Sequence, residues 1–255
     1  MFIDSHCHVN FACFDEQRDK LISSLAYQQI DKLIIPATHR STWQDIIDLC
    51  CQYPNLYYSL GYHPHFLDHY EDGDLIYLQA LVNRRERQCI AIGEIGLDKR
   101  ISTDMRMQED IFIEQVKIAE KFKLPIILHV VQKQGRVLEI LRQLKFTQGG
   151  VYHAFSGSED IALAFIALGF KIGVGGVVTY PNALKTRKTL RLLPVESLIL
   201  ETDSPDMPVY KQRDKVNTPL NLLPIFTALA ELRSESKECL AKQLYQNTLN
   251  IFSCK

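Results

Sequence analysis

The sequence holds no long apolar run, no excess of one charge and no paired-cysteine motif, and each absence narrows what the chain is. Its longest apolar stretches, around Leu33–Ala37 and Pro125–Val131, are far too short to cross a bilayer. The opening Met1-Phe2-Ile3-Asp4-Ser5-His6 has neither a basic start nor an apolar core, so no secretory signal peptide is expected. Charge is balanced, with 29 Lys and Arg against 30 Asp and Glu, for a formal net charge of −1. No global positive field therefore attracts nucleic acid, and any such binding must come from a local patch. Seven cysteines form an odd set without a CxxC pair. That usage predicts reduced, mostly buried thiols and a cytoplasmic location. Internal repeats, linkers and low-complexity stretches are missing too. The 255 residues, 46% of them hydrophobic, predict a single domain over residues 1–255 with an ample core.

What is present is a rhythm. Short β-rich apolar runs alternate with longer amphipathic segments to the end of the chain. Strands are predicted at Met1–Asp4, Lys32–Thr38, Leu56–Gly61, Cys89–Glu94, Pro125–His129, Gly150–Tyr152, Phe170–Gly173 and Leu198–Glu201. Helices are predicted between them, the first over Glu16–Gln29 and the clearest over Met105–Phe122. In the latter, Ile111, Val116, Ile118 and Ala119 gather on one side and Glu114, Lys117 and Lys121 on the other. Two further helices, Pro219–Arg233 and Glu235–Phe252, close the chain, the first with Thr218 as N-cap. Strands that are continuously apolar suit a parallel sheet covered on both faces. Eight such units in about 250 residues predict an α/β fold, the (β/α)8 TIM barrel. The alternative, a doubly wound open sheet, is weaker, because Gly173-Val174-Gly175-Gly176 lacks the GxGxxG spacing.

The functional signal lies where polar residues interrupt this plain pattern. The first strand runs into Ser5-His6-Cys7-His8, the fourth ends in Glu94, the fifth at His129, the sixth runs into His153, and the eighth into Glu201-Thr202-Asp203. In a barrel the carboxyl ends of all strands open onto one rim, so these groups converge. His6 and His8, two residues apart on an extended segment, share a face and can grip one cation. A single strand-end histidine is more often a satisfied core residue. Six such groups at five strand ends point instead to metal ligands: His6, His8, Glu94, His129, His153 and Asp203. Catalytic zinc typically takes three protein ligands plus water, so this set suits two divalent ions, with Glu94 as the expected bridge. Two cations ~3.5–4 Å apart can activate water for ester hydrolysis. The imidazoles and carboxylates match zinc or manganese better than magnesium.

Weaker signals surround this set. His63 and His65 are expected near the same rim as substrate contacts or supporting donors, with ordinary loop histidines nearly as good a reading. Glu201 either orients a ligand or satisfies a buried strand end, and Asp98 reads as a loop cap. Basic clusters at Lys185, Arg187, Lys188 and Arg191 and at Lys211, Arg213 and Lys215 can hold phosphates, although a solvated face is the commoner role. Phe155, Tyr180 and Tyr210 are candidate stacking platforms that ordinary packing explains equally well.

These blocks together resemble a known family. Asp4-Ser5-His6-Cys7-His8, Gly61-Tyr62-His63-Pro64-His65, Gly93-Glu94-Ile95-Gly96-Leu97-Asp98, His153-Ala154-Phe155-Ser156-Gly157 and Glu201-Thr202-Asp203-Ser204-Pro205 look like signature blocks of the TatD-family metal-dependent hydrolases, and within them of the YjjV-like branch. Asn217-Thr218-Pro219 and Asn247-Thr248 are similar as well, so the likeness runs from Asp4 to Phe252 in the family's order. The resemblance implies an amidohydrolase-type barrel, with His6, His8, Glu94 and Asp203 around one ion and Glu94, His129 and His153 around the other. It implies His63 near the substrate and a phosphoester substrate, DNA being the leading case. Asp203 would take the proton of the attacking water or orient the hydroxide, and with Glu94 makes the expected catalytic pair. Small-molecule amide, lactone or ester hydrolysis is the alternative, and a non-catalytic metal-binding scaffold a lesser one. No obligate protein partner is evident. The chain departs from its relatives at Val131, where an Arg is common, with Lys133 or Arg136 as replacements, and at Lys99-Arg100, where relatives often carry an aromatic residue.

Overall fold

A computed structural model describes residues 1–212 and 215–254; Arg213 of the second basic cluster lies outside the described residues. Eight strands run in sequential order, every neighbouring pair parallel: β1 (Phe2–Asp4), β2 (Ile30–Pro36), β3 (Leu56–Leu60), β4 (Cys89–Asp98), β5 (Ile126–Val131), β6 (Gly150–Tyr152), β7 (Phe170–Val174) and β8 (Leu198–Leu200). This order is that of the expected (β/α)8 barrel and excludes the doubly wound sheet, whose strand order reverses. The last seam closes just beyond the strand ends. There Asp203 N–H donates to the His6 carbonyl at 2.8 Å and His8 N–H to the Ser204 carbonyl at 2.7 Å. Asp4 pins the same seam by accepting the Thr202 hydroxyl at 2.6 Å and the Thr202 N–H at 2.9 Å.

Around the sheet stand α1 (Arg18–Ser24), α2 (Trp43–Gln52), α3 (Asp74–Val82), α4 (Met105–Phe122), α5 (Gln134–Gln143), α6 (Glu159–Ile166), α7 (Leu184–Leu192), α8 (Leu222–Ala230) and α9 (Lys237–Phe252). The expected first helix is instead broken. Two 3-10 turns, Ala12–Gln17 and Leu25–Gln28, flank α1, and the Arg18 side chain is drawn off to the carbonyls of Val9, Asn10 and Phe11. Helix α4 has the predicted bounds, and Asp104 caps it by accepting the N–H groups of Arg106 and Met107. Thr218 occupies the expected cap position, yet its side chain makes no cap bond and a 3-10 turn, Pro219–Asn221, precedes α8. Asn217 does the work there, donating to the carbonyls of Thr202 and Asp206 at 2.9 and 2.7 Å and so tying down the loop after β8.

Two apolar cores follow from the period-2 alternation of the strands. One set of residues, including Leu33, Leu60, Ile92, Leu128 and Ile172, packs outward against the helices. The other, Ile3, Ile34, Tyr57, Ala91, Ile127, Val151 and Ile199, fills the barrel interior above Phe252 and Cys254, so the chain's end plugs the floor. Cys7, Cys50 and Cys254 are buried, but Cys13, Cys51 and Cys239 are exposed and Cys89 half-buried, which corrects the expectation of mostly buried thiols. All seven are free. Cys51 and Cys239 sit on helices whose apolar faces are supplied by other positions, so the local pattern overstated their burial. Among the described residues no helix is long and apolar enough to cross a membrane.

Candidate metal centre

Alternation also explains why chemistry gathers at the mouth of the barrel. His129 and His153 each follow an inward-facing residue, Ile127 and Val151, by two positions, and Asp203 follows Ile199 by four, so all three point inward at the rim. Glu94 needs something more. Ala91 packs inside the barrel, and simple alternation would then turn position 94 outward. The β4–β5 ladder slips between Ile92 and Ile95, and beyond the slip Ile95 and Leu97 pack outward while Glu94 and Asp98 turn inward. This bulge re-aims the carboxylate. Close approach of the two strands continues at Gly96, where φ is +154° and a Cβ would fall 1.8 Å from the His129 carbonyl oxygen.

The structure brings all six expected ligand residues together. Glu94 is their centre. Its Oε2 lies 3.1 Å from His6 Nε2 and 3.7 Å from His8 Nε2, while its Oε1 lies 3.0 Å from His129 Nδ1 and 2.7 Å from His153 Nε2. Asp203 Oδ1 approaches the first group, at 3.4 Å from His6 Nε2 and 3.8 Å from His8 Nε2. His6 and His8 place their Nε2 atoms 3.2 Å apart, and the rings of His6 and His153 stack at 4.0 Å. A pocket of about 290 Å³, lined also by Phe11, Phe66 and Met207, opens over the cluster.

Hydrogen-bond partners decide what each ring nitrogen can do. His8 Nδ1 lies 3.1 Å from the Pro36 carbonyl, which only accepts, so Nδ1 carries the proton and Nε2 turns a lone pair to the cluster. His129 lies between two carboxylates, Nε2 3.1 Å from Asp98 and Nδ1 3.0 Å from Glu94; burial opposes its charge, but these two bonds raise the imidazole above its ordinary value. Burial holds His8 down to about 3 and His6 to about 4, so both rings are neutral. The His8 Nε2 lone pair thus faces the carboxylate oxygens of Glu94 and Asp203 with no proton between them, an arrangement that a cation satisfies and hydrogen bonding does not. The donor set fits a divalent metal. The same field acts on the ionisable neighbours. Burial opposes the charge on His153, but the Glu94 carboxylate overcomes it and raises the imidazole to about 10. Burial would raise Glu94, yet the surrounding histidines keep it well below the usual carboxylate range. Asp203 is pushed up to about 7, mainly by burial and against the pull of His153.

His63 and His65, expected at the substrate, occupy different settings. His63 is buried and its Nδ1 accepts the His65 N–H at 3.1 Å, so its Nε2 is a donor, aimed at Glu94 Oε1 at 3.3 Å. His65 sits on the exposed rim with Nε2 2.8 Å from Asp98 Oδ2. Asp98 caps the loop as expected, accepting the Arg100 N–H at 2.7 Å, and also buttresses His65 and His129, a role sequence reasoning missed. The available signal was its spacing, four residues after Glu94 on one strand. Glu201 is fully buried. It accepts the Ala154 N–H through Oε1, and burial pushes it up to about 8 against the pull of His153. Phe155 belongs to the core, edge-on to Tyr152 at 5.2 Å, and is no platform for a ligand. Tyr180 and Tyr210 meet edge-to-face at 5.7 Å, Tyr210 partly exposed. Lys185, Lys188 and Arg191 form a solvated face of α7, while Arg187 donates inward to the Val178 carbonyl. Arg136 is engaged with Glu109 and Glu139 at 2.7 and 2.8 Å, which removes it as a replacement for the missing Arg.

The chain is similar to known proteins over nearly its whole length. The family model described as TatD related DNase matches residues 3–253. The chain is 38% identical over 253 residues to the uncharacterized metal-dependent hydrolase YjjV of Escherichia coli K12, covering 99% of this chain and 98% of that protein. It is 36% identical over 260 residues to an uncharacterized metal-dependent hydrolase of Haemophilus influenzae, covering 99% of both. The crystal structure of the E. coli YjjV protein superposes with a TM-score of 0.96 over 99% of this chain and 98% of that one. A TatD-family hydrolase from Entamoeba histolytica, 21% identical, shares the fold at a TM-score of 0.90, covering 100% of this chain and 98% of that one. With a family match spanning nearly its whole length, the chain belongs to the TatD-related DNase family.

Proposed function

We propose that this chain, a metal-dependent hydrolase of the TatD family, cleaves phosphodiester bonds, DNA being the leading substrate, with two divalent ions at the barrel mouth. The observation that carries the reading is the division of Glu94, one oxygen toward His6 and His8 and the other toward His129 and His153. His6, His8, Glu94 and Asp203 would hold one ion and Glu94, His129 and His153 the other. When bound, such ions supply Lewis-acid stabilisation of phosphoryl charge and acidify water.

The chain's own groups do the rest. Asp203, at the edge of the pocket, accepts a proton from the attacking water. His63 donates through Nε2, either to Glu94 or to a phosphoryl oxygen entering the pocket, and His65 on the rim meets the substrate beyond it. Lys133, half-buried two residues after Val131, would hold an incoming phosphate in place of the Arg that relatives commonly carry. Hydrolysis of a small-molecule ester, lactone or amide uses the same machinery and is the second outcome of the test. Metal content should be measured alongside turnover of a defined single-stranded oligonucleotide and a panel of lactones and amides. Oligonucleotide cleavage that is lost in Glu94→Gln and Asp203→Asn supports the reading. Turnover confined to the small molecules, or full activity in the Asp203→Asn variant, refutes it.

A further inference from the structure

Glu201 stands outside the expected ligand set, yet the fold makes room for it. Its strand, β8, is separated from β6 by β7, so the carboxyl must cross two ladder spacings, about 10 Å, to reach the segment of His153. Ile172 and Val174 pack outward, which turns positions 173 and 175 toward the barrel axis. Both are glycine. A Cβ on Gly173 would strike both carboxylate oxygens of Glu201, and one on Gly175 would come within 3.5 Å of Oε1. Through this gap Oε1 reaches the Ala154 N–H and accepts it. Ala154 is held at φ +47°, in the left-handed region that a residue with a Cβ seldom takes. The bond from Glu201 thus fixes the backbone immediately after His153.

The remaining atoms of the two side chains complement each other. Glu201 is fully buried and His153 is 5% exposed. The Nε2 of His153 is turned to the cluster, 2.7 Å from Glu94 Oε1, which puts Nδ1 on the other side of the ring. That Nδ1 and the Oε2 of Glu201 are both buried with no hydrogen-bond partner among the described residues. One can carry a proton and lacks an acceptor, and the other is an acceptor without a donor. Leaving either unpaired in the interior is costly, whereas pairing them satisfies both. Burial works against a charge on Glu201, and a donor on Oε2 offsets it.

We propose that Glu201 is the positioning residue of His153. Reaching across the glycines of β7, it holds the Ala154 N–H through Oε1 and accepts the His153 Nδ1–H through Oε2, so that Nε2 presents its lone pair at the barrel mouth. A metal-bound histidine commonly donates its second N–H to a carboxylate, which sets both tautomer and ring direction. The inference rests on the reading of His153 as a metal ligand and adds the group that aims it.

Two measurements on the full chain test it. Proton–nitrogen correlation spectra of the histidine side chains, taken on the zinc-loaded wild-type protein, report which nitrogen of His153 bears a proton and which the metal. A protonated Nδ1, slow to exchange with solvent, and a metal-shifted Nε2 are expected. The second measurement is zinc affinity, by competition with a chelator. Glu201→Gln keeps the size of the side chain but replaces one oxygen with a donor, so either Ala154 or His153 loses its acceptor. The zinc Kd should rise about tenfold or more, and the Nδ1–H signal should shift or exchange faster. A bare Nδ1 on a His153 whose Nε2 carries zinc would overturn the inference and leave the metal centre standing. So would a Glu201→Gln protein with wild-type zinc affinity and an unchanged Nδ1–H signal. If zinc shifts neither nitrogen of His153, the ligand assignment itself falls, and the inference with it. Should the variant fail to fold, the wild-type spectrum decides alone.

Discussion

A Cβ placed on Gly173 would lie 2.3 Å from Oε2 of Glu201. Strand β7 lacks a side chain at the point where the buried carboxyl after β8 needs room. Glu201 in turn holds the N–H of Ala154, the neighbour of His153, and stands two residues before Asp203. Gly173→Ala is therefore expected to destabilise the fold by ~1–3 kcal/mol, the usual cost of overpacking, and to slacken the hold on His153. Urea unfolding and metal titration on the same preparation check both effects. An unchanged midpoint would show that Glu201 moves aside freely.

Metal removal should be felt as stability as well as activity. The His8 lone pair and the carboxylates that face it at the barrel mouth are left without a cation between them. Ion at a thousandfold excess over its Kd contributes about 4 kcal/mol to the native state. Chelation is expected to lower Tm by several degrees and abolish turnover, with both restored by zinc or manganese. A chelated sample that melts and works as before would discard the metal centre.

Asp98 orients His129 through the ring nitrogen opposite the cluster. Loss of such an outer partner typically costs 10–100-fold in metal affinity or activity. Asp98→Asn, which keeps an acceptor, should fall near ~10-fold and Asp98→Ala near ~100-fold. Competition with a metallochromic chelator reads the affinity directly, and equal values for the two variants would remove Asp98 from any orienting role.

Arg136 and Lys133 should separate cleanly. Arg136→Ala breaks partly exposed ion pairs and is expected to change stability by less than ~1 kcal/mol with KM unaltered. Lys133→Ala should raise the KM for a phosphodiester about tenfold with kcat retained, the signature of a lost ground-state contact. The opposite pattern would return Arg136 to the substrate.

Away from the site, Glu120 carries a pH-dependent contribution. Burial opposes its ionisation. Lys123, the Thr147 N–H and the Gln148 amide outweigh that and hold it down to about 2 from 4.5. A folded pKa below the unfolded one stabilises the native state above pH 4.5, and this contribution is lost as pH falls from 4.5 toward 2. Because the group is near the surface, the effect is discounted to about 1 kcal/mol or less. Glu120→Gln should thus lose stability relative to wild type at pH 7 but match it near pH 2, as read by urea midpoints. A difference that persists at the acid end would point to packing instead of charge.

Much of this molecule could be read without coordinates, because the relevant signals are local. Apolar runs and amphipathic segments report the βα rhythm through periodicity, and α4 has its predicted bounds. The residues gathered at the barrel mouth were legible for the same reason, as polar side chains where an apolar strand should simply end. The split of the predicted first helix was not legible, since Arg18 is satisfied by carbonyls on the segment before it rather than by its own turn. Phe155 looked like a stacking platform because a lone aromatic has no local mark that separates core from rim.

By itself the amino-acid order determined the barrel class and the residues that stand at its mouth, since both depend on spacing along one strand or helix. Tertiary structure alone decided what those residues can do. The slip between β4 and β5 aims Glu94 inward, Pro36 selects which nitrogen of His8 keeps a lone pair, Asp98 holds the ring of His129, and the His65 N–H makes His63 a donor. Backbone register and tautomer are set by atoms on other strands and loops, so no single stretch of sequence contains them.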